Sequence, residues 1–335
     1  MSDLNTVRGF EEGLRPPVDV RRARMTPAVL RTSSSSSPAA VTARVERLAR
    51  GAPEVMVKVT GRTRDGAHLK AHFQYIGRNG AVALETAAGE RIIDLAAVRD
   101  LATDWSEEAR LAGGRRDTPL SHAVILSMPA GTDAGRLHDA ARAFAGEVFS
   151  DRFAYVFALH DEGRHPHVHL TLQSLGRDGA RLNPRKADLQ VWRERFAHAL
   201  RERGIDAEAT PRRARGVTRK AERTPVRKMR ERFEAGKGPV PEVLLGAARE
   251  AAAGPEAAAP WRAALKQRRE RIQRAFLAEA FRLDRSGTAS DQVRAAAVLS
   301  LVRRFDALAT RRDRLVRQLE ARKAREGDGG RDRSR

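Results

Sequence analysis

From His165 to His169 three imidazoles alternate with Pro166 and Val168, and a fourth, His160, stands seven residues before His167. In an extended strand, residues two apart share a face, so His165, His167 and His169 project to one side. Thr171 and Gln173 continue that polar side, while Val168, Leu170 and Leu172 form an apolar one. This spacing predicts a strand with one face in a core and the other lining a site. Just upstream, Phe153 to Leu159 is apolar on both faces, as a central strand requires, and ends at His160. A loop through Gly163 lets the two strands pair antiparallel and gather four histidines in one place.

A single His-x-His on a strand is ordinary surface decoration. A further histidine at the end of a paired strand changes that reading, because three neutral imidazoles can then surround one cation. Imidazoles alone suit zinc, nickel or copper. With open positions for phosphate oxygens and water, the same set holds magnesium or manganese.

Elsewhere the chain reads as an α+β protein with a mainly antiparallel sheet flanked by helices, followed by a helical C-terminal unit. Residues 1–53 are expected to form a flexible basic and Ser-rich arm, with a short helix between Pro38 and Arg50 on the spacing of Val41, Val45 and Leu48. The folded domain is expected over 54–235. It starts with a strand at Val55 to Thr60 and a helix from Ala67 to Arg78 closed by Asn79-Gly80. On that helix Leu69, Phe73 and Ile76 form the core stripe. His68, His72 and Tyr75 form a second stripe turned about 100° around the axis.

A hairpin (Val82 to Thr86, Arg91 to Ile93), a helix from Leu95 to Leu101, a strand from His122 to Ser127 and a helix ending near Phe149 follow. A helix over Lys186 to Arg203 buries Leu189, Trp192, Phe196 and Leu200, which makes Trp192 a core residue rather than a base-stacking one. Residues 236–260 read as a Gly/Pro/Ala-rich linker. Residues 261–325 read as a helical hairpin marked by Trp261, Leu265, Ile272 and Phe276 and then by Val298, Val302, Phe305, Leu308, Leu315 and Leu319; residues 326–335 read as a disordered tail.

Charge narrows the partners. With 64 Lys+Arg against 43 Asp+Glu the formal net charge is +21, a field that attracts polyanions, nucleic acid first. Ten Lys/Arg and two Glu between Arg212 and Arg232 make the most basic stretch, a candidate clamp on DNA phosphates through Arg212, Arg213, Arg215, Arg219 and Lys220. The absence of cysteine excludes disulfides, thiolate zinc sites and a Cys nucleophile. No apolar run approaches a membrane span, so the expected location is cytoplasmic. Of the two tyrosines, Tyr155 lies inside an apolar strand and Tyr75 lies off the core line. Tyrosine can serve as a covalent nucleophile toward a metal-bound phosphodiester.

Three motifs in order make the resemblance specific: His72-Phe73-Gln74-Tyr75-Ile76-Gly77-Arg78-Asn79-Gly80, Ser127-Met128-Pro129-Ala130-Gly131-Thr132, and His160 to His169. Over about 54–235 the chain resembles the P-type mobilisation relaxases, His-hydrophobe-His DNA-nicking enzymes, and most closely their T-DNA border endonuclease branch. The resemblance implies a relaxase palm in which Tyr75 attacks a single-stranded origin-of-transfer site, leaving a 5′-phosphotyrosyl link. It implies that His160, His167 and His169 hold a divalent ion, magnesium or manganese with zinc a further option, and that His165 is a fourth ligand, a hydrogen-bond partner or a proton carrier. Ser127 and Arg78 would contact DNA.

The family has Asp where this chain has Glu162, preceded by Asp161, so either carboxylate is a candidate to orient a histidine or take the tyrosine proton. Single-stranded and supercoiled DNA, a relaxosome accessory protein and a coupling ATPase are the implied partners. Rolling-circle initiators and single-strand transposases share the chemistry but place the tyrosine after the histidines. A non-catalytic, metal-stabilised DNA-binding relaxosome or repressor protein is the rival of a different class.

Overall fold

Six strands pair into one antiparallel sheet in the order β1-β4-β6-β5-β2-β3. They are β1 (Met56–Thr63), β2 (Leu84–Thr86), β3 (Arg91–Ile92), β4 (Ser121–Ser127), β5 (Phe153–His160) and β6 (His167–Gly176). The structure is a computed structural model and describes residues 38–113, 118–162, 165–210, 212–217, 222, 224–252, 260–305, 313–314 and 316–317. Contacts divide it after Thr210 into a sheet unit and a helical unit, each described by itself.

Strand periodicity sorts the sheet unit into two cores. On one face Val57, Val124, Leu126, Phe157, Val168, Leu170 and Leu172 pack against α4 (Ala134–Phe149) and α5 (Lys186–Arg201). Phe149 meets Trp192 edge-on at 5.1 Å, so Trp192 fills the core. On the other face Val156 and Ala158 pack with Leu69, Phe73 and Ile76 of α2 (Gly66–Ile76) and with Val98, Ala102 and Trp105 of α3 (Leu95–Leu111). β5 contributes to both cores, which is why it is apolar throughout.

Several boundaries differ from the pattern reading. α3 runs ten residues beyond Leu101, to Leu111. The stripe of Val98, Ala102 and Trp105 continues across acidic positions, and Trp105 meets Phe73 edge-on at 5.2 Å. α2 stops at Ile76 because Arg78 and Asn79 take φ of 50° and 53°, followed by Gly80 at 94°. The expected helix α1 (Pro38–Arg50) is present and belongs to the sheet unit. Val45 and Leu48 are buried, and Arg44 and Arg47 reach the buried carboxylate of Glu208 at 3.3 and 2.9 Å. That ion pair joins residues far apart in sequence and anchors the last helix of the arm.

In the helical unit, α6 (Thr224–Glu234) and α7 (Glu242–Ala252) precede α8 (Pro260–Asp284) and α9 (Ala289–Arg303). A four-residue turn joins α8 to α9 around a core of Ile272, Phe276, Ala280, Leu283, Val298 and Leu301. The Thr288 hydroxyl caps α9 by accepting from the Asp291 amide. The expected arm before residue 38, Leu308, Leu315, Leu319 and the tail lie outside the described residues. Among the described residues no helix is long and apolar enough to cross a membrane.

His122 on β4 is 1% exposed, and its Nδ1 shares a 2.9 Å hydrogen bond with Ser174. Burial, then the nearby Arg62 charge, lowers its pKa from 6.5 to about 4. Between those values the unfolded chain binds a proton that the folded one does not, so this contribution to stability is complete above pH 6.5 and is lost as pH falls. We expect the metal-free melting temperature to fall between pH 7 and pH 5. His122→Gln should flatten that dependence by up to about 1.4 kcal/mol per pH unit, read by thermal denaturation across pH.

Candidate metal centre and nucleophile

The period of two delivers the site. Val168, Leu170 and Leu172 enter the α4/α5 core, so His167, His169, Thr171 and Gln173 must face α2 and α3. The antiparallel register sets His160 directly opposite His167 and Ala158 opposite His169. The ligating nitrogens of His160, His167 and His169 all lie within 4.8 Å of one another. Their ring centroids are 4.5 to 5.3 Å apart.

Two of these rings are oriented by backbone carbonyls. His160 Nε2 donates to the Ile76 carbonyl at 2.7 Å, and His167 Nδ1 donates to the His165 carbonyl at 3.1 Å. Each ring keeps its other nitrogen for an ion, the usual outer support of a metal-binding imidazole. Burial, reinforced by the other histidines, lowers the His169 pKa from 6.5 to about 3. Burial also lowers that of His160. Both are therefore neutral near pH 7, as ligands must be. Nitrogens bound at about 2.1 Å to one ion sit roughly 3 to 3.5 Å apart, so small ring rotations close the set. The donors fit a divalent cation with positions left open for substrate oxygen and water.

Tyr75 stands at the C-terminal end of α2, 65% exposed, with its ring edge-on to His169 at 5.9 Å. Leu69, Phe73 and Ile76 are fully buried on the same helix, so the core stripe sets the rotation that turns Tyr75 toward the histidines. Arg78 follows in its left-handed conformation, and its Nη1 lies 3.0 Å from Glu162 Oε2. The Arg78 charge also disfavours protonation of His160 and His169.

The remaining candidates are placed as follows. Ser127 pairs in register with His167 and is buried, and its hydroxyl donates to the Pro166 carbonyl at 3.3 Å. Asp161 and Glu162 are exposed beyond the end of β5. The His165 side chain is exposed, and its carbonyl, rather than its ring, meets the cluster. Tyr155 is buried beside Phe157, and burial raises its pKa. Arg212 to Arg215 form a short 3₁₀ turn, while Arg219 and Lys220 lie outside the described residues.

Sequence reading did not single out the polar pairs that complete this face. His72 Nε2 shares a 2.9 Å hydrogen bond with the buried Thr171 hydroxyl. Gln173 donates to Glu108 at 2.6 Å, and Thr63 meets Ser121 at 2.7 Å. The alternation of β6 signals that Thr171 and Gln173 need partners, but only the packing of α2 and α3 supplies them. Beside the histidines, Met56 and Lys58 of β1 lie exposed opposite Ser127 and Ile125.

The family profile described as Relaxase: MobA/VirD2-like, nuclease domain matches residues 80–205, a span that contains the three histidines and begins after Tyr75. Over that span the chain is similar to a relaxase nuclease domain. The T-DNA border endonuclease VirD2 of Rhizobium radiobacter is 28% identical over 185 residues, covering 49% of this chain and 43% of that protein. VirD2 of Agrobacterium fabrum is 26% identical over 184 residues, covering 49% and 41%. The chain thus spans less than half the length of these curated relatives.

Manganese or zinc at about 100 times its Kd should raise the melting temperature by about 5–10 °C. We expect His169→Ala to abolish that rise and His165→Ala to retain it, as read by calorimetry with and without metal.

Proposed function

We propose that the protein is a site- and strand-specific relaxase that nicks and rejoins single-stranded DNA at an origin of transfer and so initiates conjugative mobilisation. The observation that supports this most is the exposed Tyr75 ring set against His169 of a three-histidine cluster. A structural tyrosine would be expected to bury its ring. The relatives are T-DNA border endonucleases, which agrees with this reading.

In the proposed reaction the Tyr75 oxygen forms a bond to phosphorus as the bond from phosphorus to the 3′ oxygen breaks. The tyrosine proton ends on that oxygen as a 3′-hydroxyl. One phosphoester replaces another, so the reverse step can reseal the strand without ATP. A magnesium or manganese ion held by His160, His167 and His169 would offset charge on the non-bridging phosphate oxygens. Asp161, directly after His160, and Glu162, which pairs with Arg78 at 3.0 Å, are the two carboxylates proposed to orient a histidine or carry the proton. Ser127 and Arg78 contact the DNA backbone near the nick.

The supporting field is unevenly distributed. Up to Thr210 the chain has 31 Lys/Arg and 27 Asp/Glu, whereas from Pro211 it has 33 and 16. The basic run with Arg212, Arg213, Arg215, Arg219 and Lys220 therefore opens the part of the chain that carries +17 of the +21. That part supplies sequence-independent attraction to phosphates, and the sheet unit supplies chemistry. An accessory DNA-binding protein and a coupling ATPase are the partners proposed for transfer.

With manganese or magnesium and a labelled single strand from the DNA beside its own gene, the protein should form a metal-dependent covalent 5′ adduct on a denaturing gel. Tyr75→Phe should reduce its formation by on the order of 10³-fold or more. Tight binding without an adduct on any strand or on supercoiled plasmid would instead establish the non-catalytic DNA-binding reading. Replacing the exposed Lys228, Arg232 and Lys237 together with Gln should lower the salt dependence of single-strand affinity by about 2 in log–log slope. The preferred sequence should not change, as measured by titration between 50 and 200 mM salt.

A further inference from the structure

We infer that the His72–Thr171 hydrogen bond is a positioning latch that sets the reach of Tyr75 to the metal-bound phosphate, an inference that rests on the reading of Tyr75 as nucleophile. Tyr75 is exposed, and its one ring contact among the described residues is the edge-on approach to His169. Its position therefore depends on where α2 lies over the sheet. The stripe of Leu69, Phe73 and Ile76 fixes the rotation of that helix, but the hydrophobic effect behind it is non-directional and ties no atom of the helix to a particular residue of β6. Sliding is the movement that would change the distance from Tyr75 to the histidines.

Two directional contacts oppose it. At the end of the helix the Ile76 carbonyl accepts from His160 on β5. One turn earlier, His72 meets Thr171 on β6 at 2.9 Å. Thr171 is fully buried, two residues beyond His169 on the same strand face, between Val156 and Ala123 in the sheet register. A hydroxyl so placed has a strong demand for a partner, since leaving it unpaired costs desolvation without return. His72 lies three residues before Tyr75, and residues at this spacing are neighbours on a helix surface. The latch thus ties a side chain adjacent to Tyr75 to the strand that carries two of the three ligands.

Thr171→Val removes the hydroxyl, keeps the side-chain shape and suits a strand. In single-turnover nicking of a labelled oligonucleotide, this variant should show a rate constant about 10-fold lower, because small misplacements of reacting groups are costly. The reacting fraction at saturating manganese and the final ratio of nicked to intact strand should match those of the wild type, since a positioning change slows nicking and joining alike. Thr171→Ser should restore the rate to within about 2-fold. Without metal, amide hydrogen exchange over residues 72–77 should be faster in Thr171→Val than in the wild type.

The latch is overturned by an unchanged rate, by no rescue with serine, by unchanged exchange over the helix, or by a loss that appears wholly in the reacting fraction. If the wild type itself forms no Tyr75-dependent adduct, the relaxase reading fails instead; a wild-type adduct with a fully active Thr171→Val protein removes the latch alone.

Discussion

The pairing of β5 with β6 is the constraint on which the site depends. Side chains alternate along a strand, so a slip of one residue in that register would exchange the two faces of β6. The histidines would enter the α4/α5 core, and Val168, Leu170 and Leu172 would face the helix that carries Tyr75. The apolar cost of that exchange protects the geometry of the polar face. The histidine face is held in place by what is buried behind it.

The two faces of the sheet solve different problems. Behind the histidines the packing is dry and aromatic, with Phe144, Phe149, Trp192 and Phe196 locked edge to edge. In front, the polar residues of β6 each receive a partner from a covering helix until α2 ends. Beyond that point the side chains of His160, His167 and His169 are left facing one another. The histidine cluster is thus the part of a polar strand face that the helices do not cover.

Much of this was legible in the residues. Alternation over His167 to Gln173, the doubly apolar β5 and the two stripes of α2 each follow from local periodicity, and the sheet preserves all three. What escaped was non-local. The continuation of α3 depends on Trp105 finding Phe73, and the docking of the expected helix α1 depends on arginines finding Glu208 far along the chain. The left-handed conformation of Arg78, unusual for a residue with a side chain, has no local signal beyond the Asn79-Gly80 that follows it. Thr171 announced a need for a partner, but strand periodicity could not name His72.

The carbonyl of Ile76 belongs to the helix of Tyr75 yet accepts from a ring of the histidine cluster. An ion held by His160 would therefore be coupled to that helix through one hydrogen bond. Under the proposed chemistry, a DNA strand attached at Tyr75 pulls on that shared bond. By linkage, whatever factor attachment imposes on ion affinity, the ion imposes on attachment. For a chain proposed to hold its DNA through transfer and then release it, this one carbonyl would let the grip on a cation report whether the strand is still bound.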